Sequence, residues 1–132
     1  MNPENFLDFV RHDFAPLAEK HSLRELGTKE TFAHKAIAYA NDEKAVQFDL
    51  DVRDGYLDVF YPFVSIYLAT GQLAAHVLND FTQRRSVRRL LNAEGIFWPD
   101  REGGLFNPGV LEKAVHDLIE GMGRHSQEIF GR

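Results

Sequence analysis

The sequence predicts an α+β domain: an N-terminal helix, a three-stranded antiparallel meander, then two to three helices packed on one face of the sheet. Three observations carry this. Apolar residues recur at helical spacing over residues 6–18, the period drops to two between residues 31 and 61, and helical spacing returns beyond Pro62. With 132 residues, 44% of them hydrophobic and eleven of them Phe, the chain supports one packed core and reads as a single domain, 1–132.

In the first element, Asn2 is placed to cap, Pro3 fits the first helical position and Glu4 suits the positive end of the helix dipole. Phe6, Val10, Phe14 and Leu17 form one face, with Leu7 and Ala18 beside it. Pro16 removes a backbone donor and crowds the carbonyl of His12, which predicts a kink or a break; the helix should finish near His21.

The meander follows. A strand around Thr31–Ala40 is rich in alanine and leaves its inward parity open. Asn41-Asp42-Glu43 is a polar turn. In Lys44–Arg53, Val46, Phe48, Leu50 and Val52 alternate with Gln47, Asp49 and Asp51, the pattern of a strand with one buried and one solvated face. Asp54-Gly55 reads as a tight hairpin, because the turn requires positive φ and glycine adopts it without strain. The next strand, Tyr56–Tyr61, places Leu57, Val59 and Tyr61 inward and Tyr56, Asp58 and Phe60 outward.

Beyond Pro62, Phe63–Leu68 fits a fourth strand, a buried helical turn or a loop equally well. Gln72–Phe81 reads as helix through Leu73, Val77, Leu78 and Phe81. Ser86–Glu94 reads as a short helix that Gly95 stops. Phe97–Asn107, with Pro99, Gly103 and Gly104, looks like a loop. Asn107 then caps a last helix that Pro108 opens, with Leu111, Val115, Leu118 and Met122 on one face and Ile119 beside it. Gly121 and Gly123 predict fraying or bending there before Ile129.

Several function classes are disfavoured. Zero cysteines exclude thiol nucleophiles, thiolate metal sites and disulfides. A net charge of −5 argues against nucleic-acid or anionic-membrane partners. Charged residues scattered through Met1–Lys20 do not fit a signal peptide, and the low-charge run Val59–His76 is shorter than a membrane span and interrupted by Pro62 and Gly71, so a cytoplasmic location is expected. No Gly-x-Ser-x-Gly elbow, phosphate-cradling glycine loop or His-Glu-x-x-His occurs, which lowers the expectation of an enzyme.

The acidic excess lies in residues 1–62. Asp49, Asp51 and Asp58 are expected on the solvent face of the hairpin, where like charges repel, with Tyr56 and Phe60 among them. A solvated strand face explains this; so does a contact surface for a basic partner, since complementary charge speeds encounter and fixes orientation. Oxygen ligands from Asp49 and Asp51 suit Mg²⁺ or Ca²⁺, but a flat strand face does not wrap a cation, so neither metal nor cofactor is expected. Arg84, Arg85, Arg88 and Arg89 form a basic stripe if helical, better suited to an acidic neighbour than to nucleic acid. His116 with Glu112 and Glu120, and His76 with Asp80, read as solvated helix-face groupings; His34 is undecided between core and solvent.

The helix–meander–helix layout, the small size and the acidic sheet resemble the small bacterial immunity proteins that neutralise a cognate toxin. The resemblance covers the layout of most of the chain and no motif. It implies a non-catalytic cytoplasmic protein that docks a basic protein surface through Asp49, Asp51, Asp58, Tyr56 and Phe60. One alternative is a small-ligand-binding or enzymatic domain with a pocket between sheet and helices, using Tyr39, Tyr61, His34 and His76. Another is a homo-oligomeric structural protein joined through Phe-rich faces or through the arginine stripe against the acidic sheet.

Overall fold

In the structure, a computed structural model, residues 5–41, 44–53, 55–61, 85–91 and 108–130 are described. Helix α1 spans Phe6–Lys20 and buries Phe6, Leu7, Val10, Phe14 and Ala18. The break expected at Pro16 does not occur. Pro16 sits on the exposed side of a helix that continues to Lys20, and the turn beyond it is closed by a firm C-terminal motif. Ser22 takes a left-handed conformation (φ 56°), which lets Leu23 N–H donate to Ala18 O at 2.8 Å and Ser22 N–H to Glu19 O at 3.2 Å. This paired closure satisfies two carbonyls that the helix end would otherwise orphan.

Five antiparallel strands follow in chain order: β1 (Arg24–Glu30), β2 (His34–Ala40), β3 (Ala45–Asp51), β4 (Tyr56–Tyr61) and β5 (Arg85–Ser86). The α+β layout is therefore as the sequence predicts, with five strands among the described residues in place of three. Strand β1 escapes periodicity because Arg-Glu-Leu-Gly-Thr-Lys-Glu holds one large apolar residue and is irregular between Glu25 and Gly27. It lies at the sheet edge, mostly exposed, and is tied to α1 by Arg11 Nε donating to Glu25 Oε1 at 2.8 Å. Strand β5 has only two residues, opposite Phe60 and Tyr61.

One face of the sheet carries Ile37, Tyr39, Val46, Phe48, Leu50, Leu57, Val59 and Tyr61, all in the core with the α1 stripe. Phe14 meets Tyr39 and Phe48 edge-on at 4.9 and 5.0 Å, an arrangement that aligns ring edges with ring faces. The hairpin between β3 and β4 differs from the two-residue turn expected. Asp51 pairs with Tyr56, so the connection is four residues long, and Gly55 at φ 67° supplies its left-handed position.

Helix α2 (Val87–Leu90) follows β5 directly; the longer stretch expected from Ser86 to Glu94 is described as helix only over these residues. Helix α3 (Pro108–Arg124) buries Leu111, Val115, Leu118 and Met122, and α4 (Ser126–Phe130) follows. Gly121 and Gly123 lie inside α3, which does not end before Arg124. Gly121 has a packing reason: Leu91 presses against its backbone, and a methyl group there would overlap Leu91 Cδ1. The expectations for Asn2–Glu4, the Asp42-Glu43 and Asp54 turn positions, Phe63–Leu68, Gln72–Phe81 and Phe97–Asn107 lie outside the described residues.

Candidate functional site

The other face of the sheet is where the predicted site residues gather, and it is not a solvated acidic surface. Ala36, Ala38, Ala45, Gln47 and Asp58 are fully buried there, and Asp49 is 7% exposed. Of the five residues expected to bind a partner, Asp51, Tyr56 and Phe60 are partly exposed, whereas Asp49 and Asp58 are buried. The register sets these groups in rows. Asp49 stands between Ala36 and Asp58; Asp51 stands between His34 and Tyr56; Gln47 stands between Ala38 and Phe60, with Ser86 beyond.

Two carboxylates directly opposed in a buried sheet would repel each other strongly unless each were separately held. Each is. Asp49 Oδ1 lies 2.9 Å from His34 Nε2, and its Oδ2 accepts from Gln47 Nε2 at 2.9 Å. Asp58 Oδ1 accepts from Val59 N–H at 2.7 Å and Arg88 N–H at 3.1 Å, while Oδ2 accepts from Tyr56 OH at 3.4 Å and from Ser86 Oγ in a short bond. Ser86 also accepts from Arg89 N–H at 3.1 Å. The Asp58 arm is thus a structural knot joining β4, β5 and α2, with its oxygens committed to donors of the chain.

Asp49 and His34 form the accessible arm. The His34 side chain keeps 24% of its surface and that of Asp49 10%, so this pair reaches the edge of the buried face. Burial pushes the Asp58 carboxyl up, opposed by the bonds from Ser86, Arg88 and Val59. The Tyr56 phenol is also pushed up, by burial first and then by Asp58.

Arginine 88 completes the region. Its guanidinium carbon lies 4.4 Å from the centroid of the Tyr56 ring, and its Nε and Nη1 are buried with no hydrogen-bond partner among the described residues. The arginine stripe expected on one helix does not form among the described residues. Arg85 belongs to β5 and Arg88 and Arg89 to α2, so 85 and 89 do not stack as successive helical turns; Arg84 lies outside the described residues.

Sequence reasoning missed Gln47, Ser86 and Arg88 as members of one cluster and left His34 undecided. The signal for His34 and Gln47 is parity with Ala36, Ala38 and Asp49, legible only once the β2–β3 register is known. Tyr39 and Tyr61, grouped with His34 in the expected pocket, are buried in the core between sheet and helices, on the face opposite His34, so the three do not share one pocket; burial raises the Tyr39 phenol to about 12. His76 lies outside the described residues.

His116, 60% exposed, lies 3.8 Å from Glu120 and 3.4 Å from Asp13 of α1, so it bridges two helices at the surface. Among the described residues no group of three His, Asp or Glu side chains is arranged to hold a metal ion, and no helix is long and apolar enough to cross a membrane. No protein-family model, curated protein or solved structure matches the chain.

Proposed function

We propose that this protein is a small-ligand-binding domain whose site is the polar face of the sheet, entered at the His34–Asp49 pair. The observation that carries this reading is the burial of two directly opposed carboxylates, Asp49 and Asp58, on a face that apolar residues would fill at lower cost. Charged groups kept in a buried polar cluster, with a histidine at its edge, are the arrangement expected of a recognition site for a small polar molecule. The Asp49 carboxylate orients the His34 ring through Nε2, so the pair is placed to hydrogen-bond a ligand at the edge of the face.

The Asp49→Asn variant tests it. Thermal unfolding of wild type is followed across a panel of small amines, carboxylates and amides. A ligand at 100 times its Kd stabilises by about 2.7 kcal/mol. For 132 residues that raises Tm by roughly 10 °C. The expected outcome is a shift in wild type that Asp49→Asn loses while keeping its fold. No shift anywhere in the panel, or an equal shift in the variant, overturns the reading.

A second reading keeps the protein partner with a basic surface, as the likeness to immunity proteins implies. The partial exposure of Asp51, Tyr56 and Phe60 favours it, and these three then form the contact rather than all five predicted residues. Charge reversal at Asp51 separates the two readings: it weakens a protein complex and spares a ligand shift centred on Asp49.

A further inference from the structure

We infer that Arg88 is an anion-recognition residue that receives the carboxylate of a small ligand bound at this face. The inference rests on the small-ligand reading and names the chemical group the ligand brings. A guanidinium is charged at every physiological pH and presents five N–H donors in a rigid plane. In a folded protein such a group, once removed from water, is normally met by a carboxylate. Here Nε and Nη1 are buried and unmet among the described residues.

The carboxylate nearest at hand does not serve. Asp58 accepts from the backbone N–H of Arg88, not from its side chain, and its two oxygens are shared among Val59, Arg88 N–H, Tyr56 and Ser86. The guanidinium rests on the Tyr56 ring instead. A ring contact of this kind holds the guanidinium while leaving its in-plane donors for another group. Position and orientation are therefore supplied by the chain, and no acceptor is found among the described residues.

Size and charge narrow what that acceptor is. Nitrogens buried in this way are out of reach of a flat macromolecular surface, which leaves a small group as the partner. A planar monoanion matches the guanidinium fork. Phosphate, with about −1.5 to −2 charges near neutral pH, would be repelled more strongly by Asp49 and Asp58 than a carboxylate with one. A carboxylate-bearing small molecule is the class that fits.

The test reads Arg88 directly. In the full ¹⁵N-labelled chain, the Nε–H resonances of arginine side chains are followed during titration with sodium acetate. Sodium chloride at matched ionic strength is the control, and inorganic phosphate is the competing probe. The expected result is a saturable shift of Arg88 Nε–H with acetate, at lower concentration than with phosphate. Nε–H of Arg124, whose side chain is 63% exposed, should follow the chloride control. In Arg88→Lys, the acetate-dependent shifts of the Tyr56 and Arg89 amides should disappear.

If Arg88 follows chloride, or phosphate titrates at the lower concentration, the inference fails. The wild-type titration decides this even if the variant folds poorly. Failure of the two readings is distinguishable. Saturable acetate binding with no Asp49-dependent ligand shift overturns the His34–Asp49 site and leaves Arg88 standing. An Asp49-dependent shift without acetate binding does the reverse.

Discussion

Replacing Asp58 by alanine removes the acceptor of four donors at once. The Tyr56 and Ser86 hydroxyls can rotate toward other acceptors, but the Val59 and Arg88 backbone N–H groups are fixed in β4 and α2 and are left unpaired. Each buried donor stranded in this way costs about 1–3 kcal/mol. Removing a charge from a fully buried position returns part of that, so the net loss is about 2–4 kcal/mol. At about 2.1 cal/mol/K of unfolding entropy per residue, a chain of 132 residues then melts about 7–14 °C lower.

Asparagine is gentler, since its oxygen can still serve both N–H groups while its NH₂ faces two hydroxyls; a loss of about 1 kcal/mol is expected. The pH dependence supplies an independent check. Burial raises the Asp58 carboxyl above its ordinary 3.8, so the folded protein holds this proton more tightly than the unfolded chain does. Its contribution to stability is full below the unfolded value and is lost as pH rises through the folded one. Asparagine does not titrate, so the deficit of Asp58→Asn is largest at and below the ordinary 3.8 and shrinks as pH rises above it. Urea unfolding of the three proteins, followed by circular dichroism across that range, measures both effects. An alanine loss under about 1 kcal/mol, or an asparagine deficit that grows with pH, would refute the structural role of Asp58.

Two further changes act at the end of α1. Ser22→Gly should stabilise by about 0.5–1 kcal/mol, because φ 56° costs serine and not glycine; a loss in thermal unfolding would contradict the closure described there. His21 stacks on Phe130 at 4.1 Å with its Nε2 buried and unbonded among the described residues, and burial, helped by Lys20, lowers its pKa from the ordinary 6.5. The unfolded chain therefore takes up this proton first, and stability falls as pH drops below 6.5. His21→Phe keeps the ring contact and should flatten that part of the pH–stability curve; an unchanged slope would show that another group titrates there.

Periodicity read α1, β3, β4 and α3 from the sequence because each repeats an apolar face over six residues or more. What alternation cannot say is whether the second face of a strand is covered. Gln47, Asp49 and Asp58 have the spacing of a solvated face and are buried all the same. Strand β1 had no pattern to offer, being an edge with charges at four of seven positions. The site was half legible for a related reason. Its residues come from β2, β3, β4, β5 and α2, and only the register brings His34 to Asp49 or Ser86 to Asp58. Arg88 was visible as a charge within a run, but its burial depends on a strand-to-helix junction that composition does not mark.

The order of the strands has a consequence for how the protein is made. From β1 to β4, consecutive strands pair with one another, so these three hairpins close through short loops and can form as soon as they leave the ribosome. The two long helices follow another schedule. Asp13 meets His116, and Leu17 comes within 4.0 Å of the methyl that Gly123 lacks, across about a hundred intervening residues. While the chain is being synthesised, Phe6, Val10 and Phe14 can therefore gain the sheet early but must wait until α3 has emerged to meet it. A stalled or truncated chain would carry a finished meander and a helix with one side of its apolar stripe bare, the form in which this protein would be most exposed to chaperones and proteases.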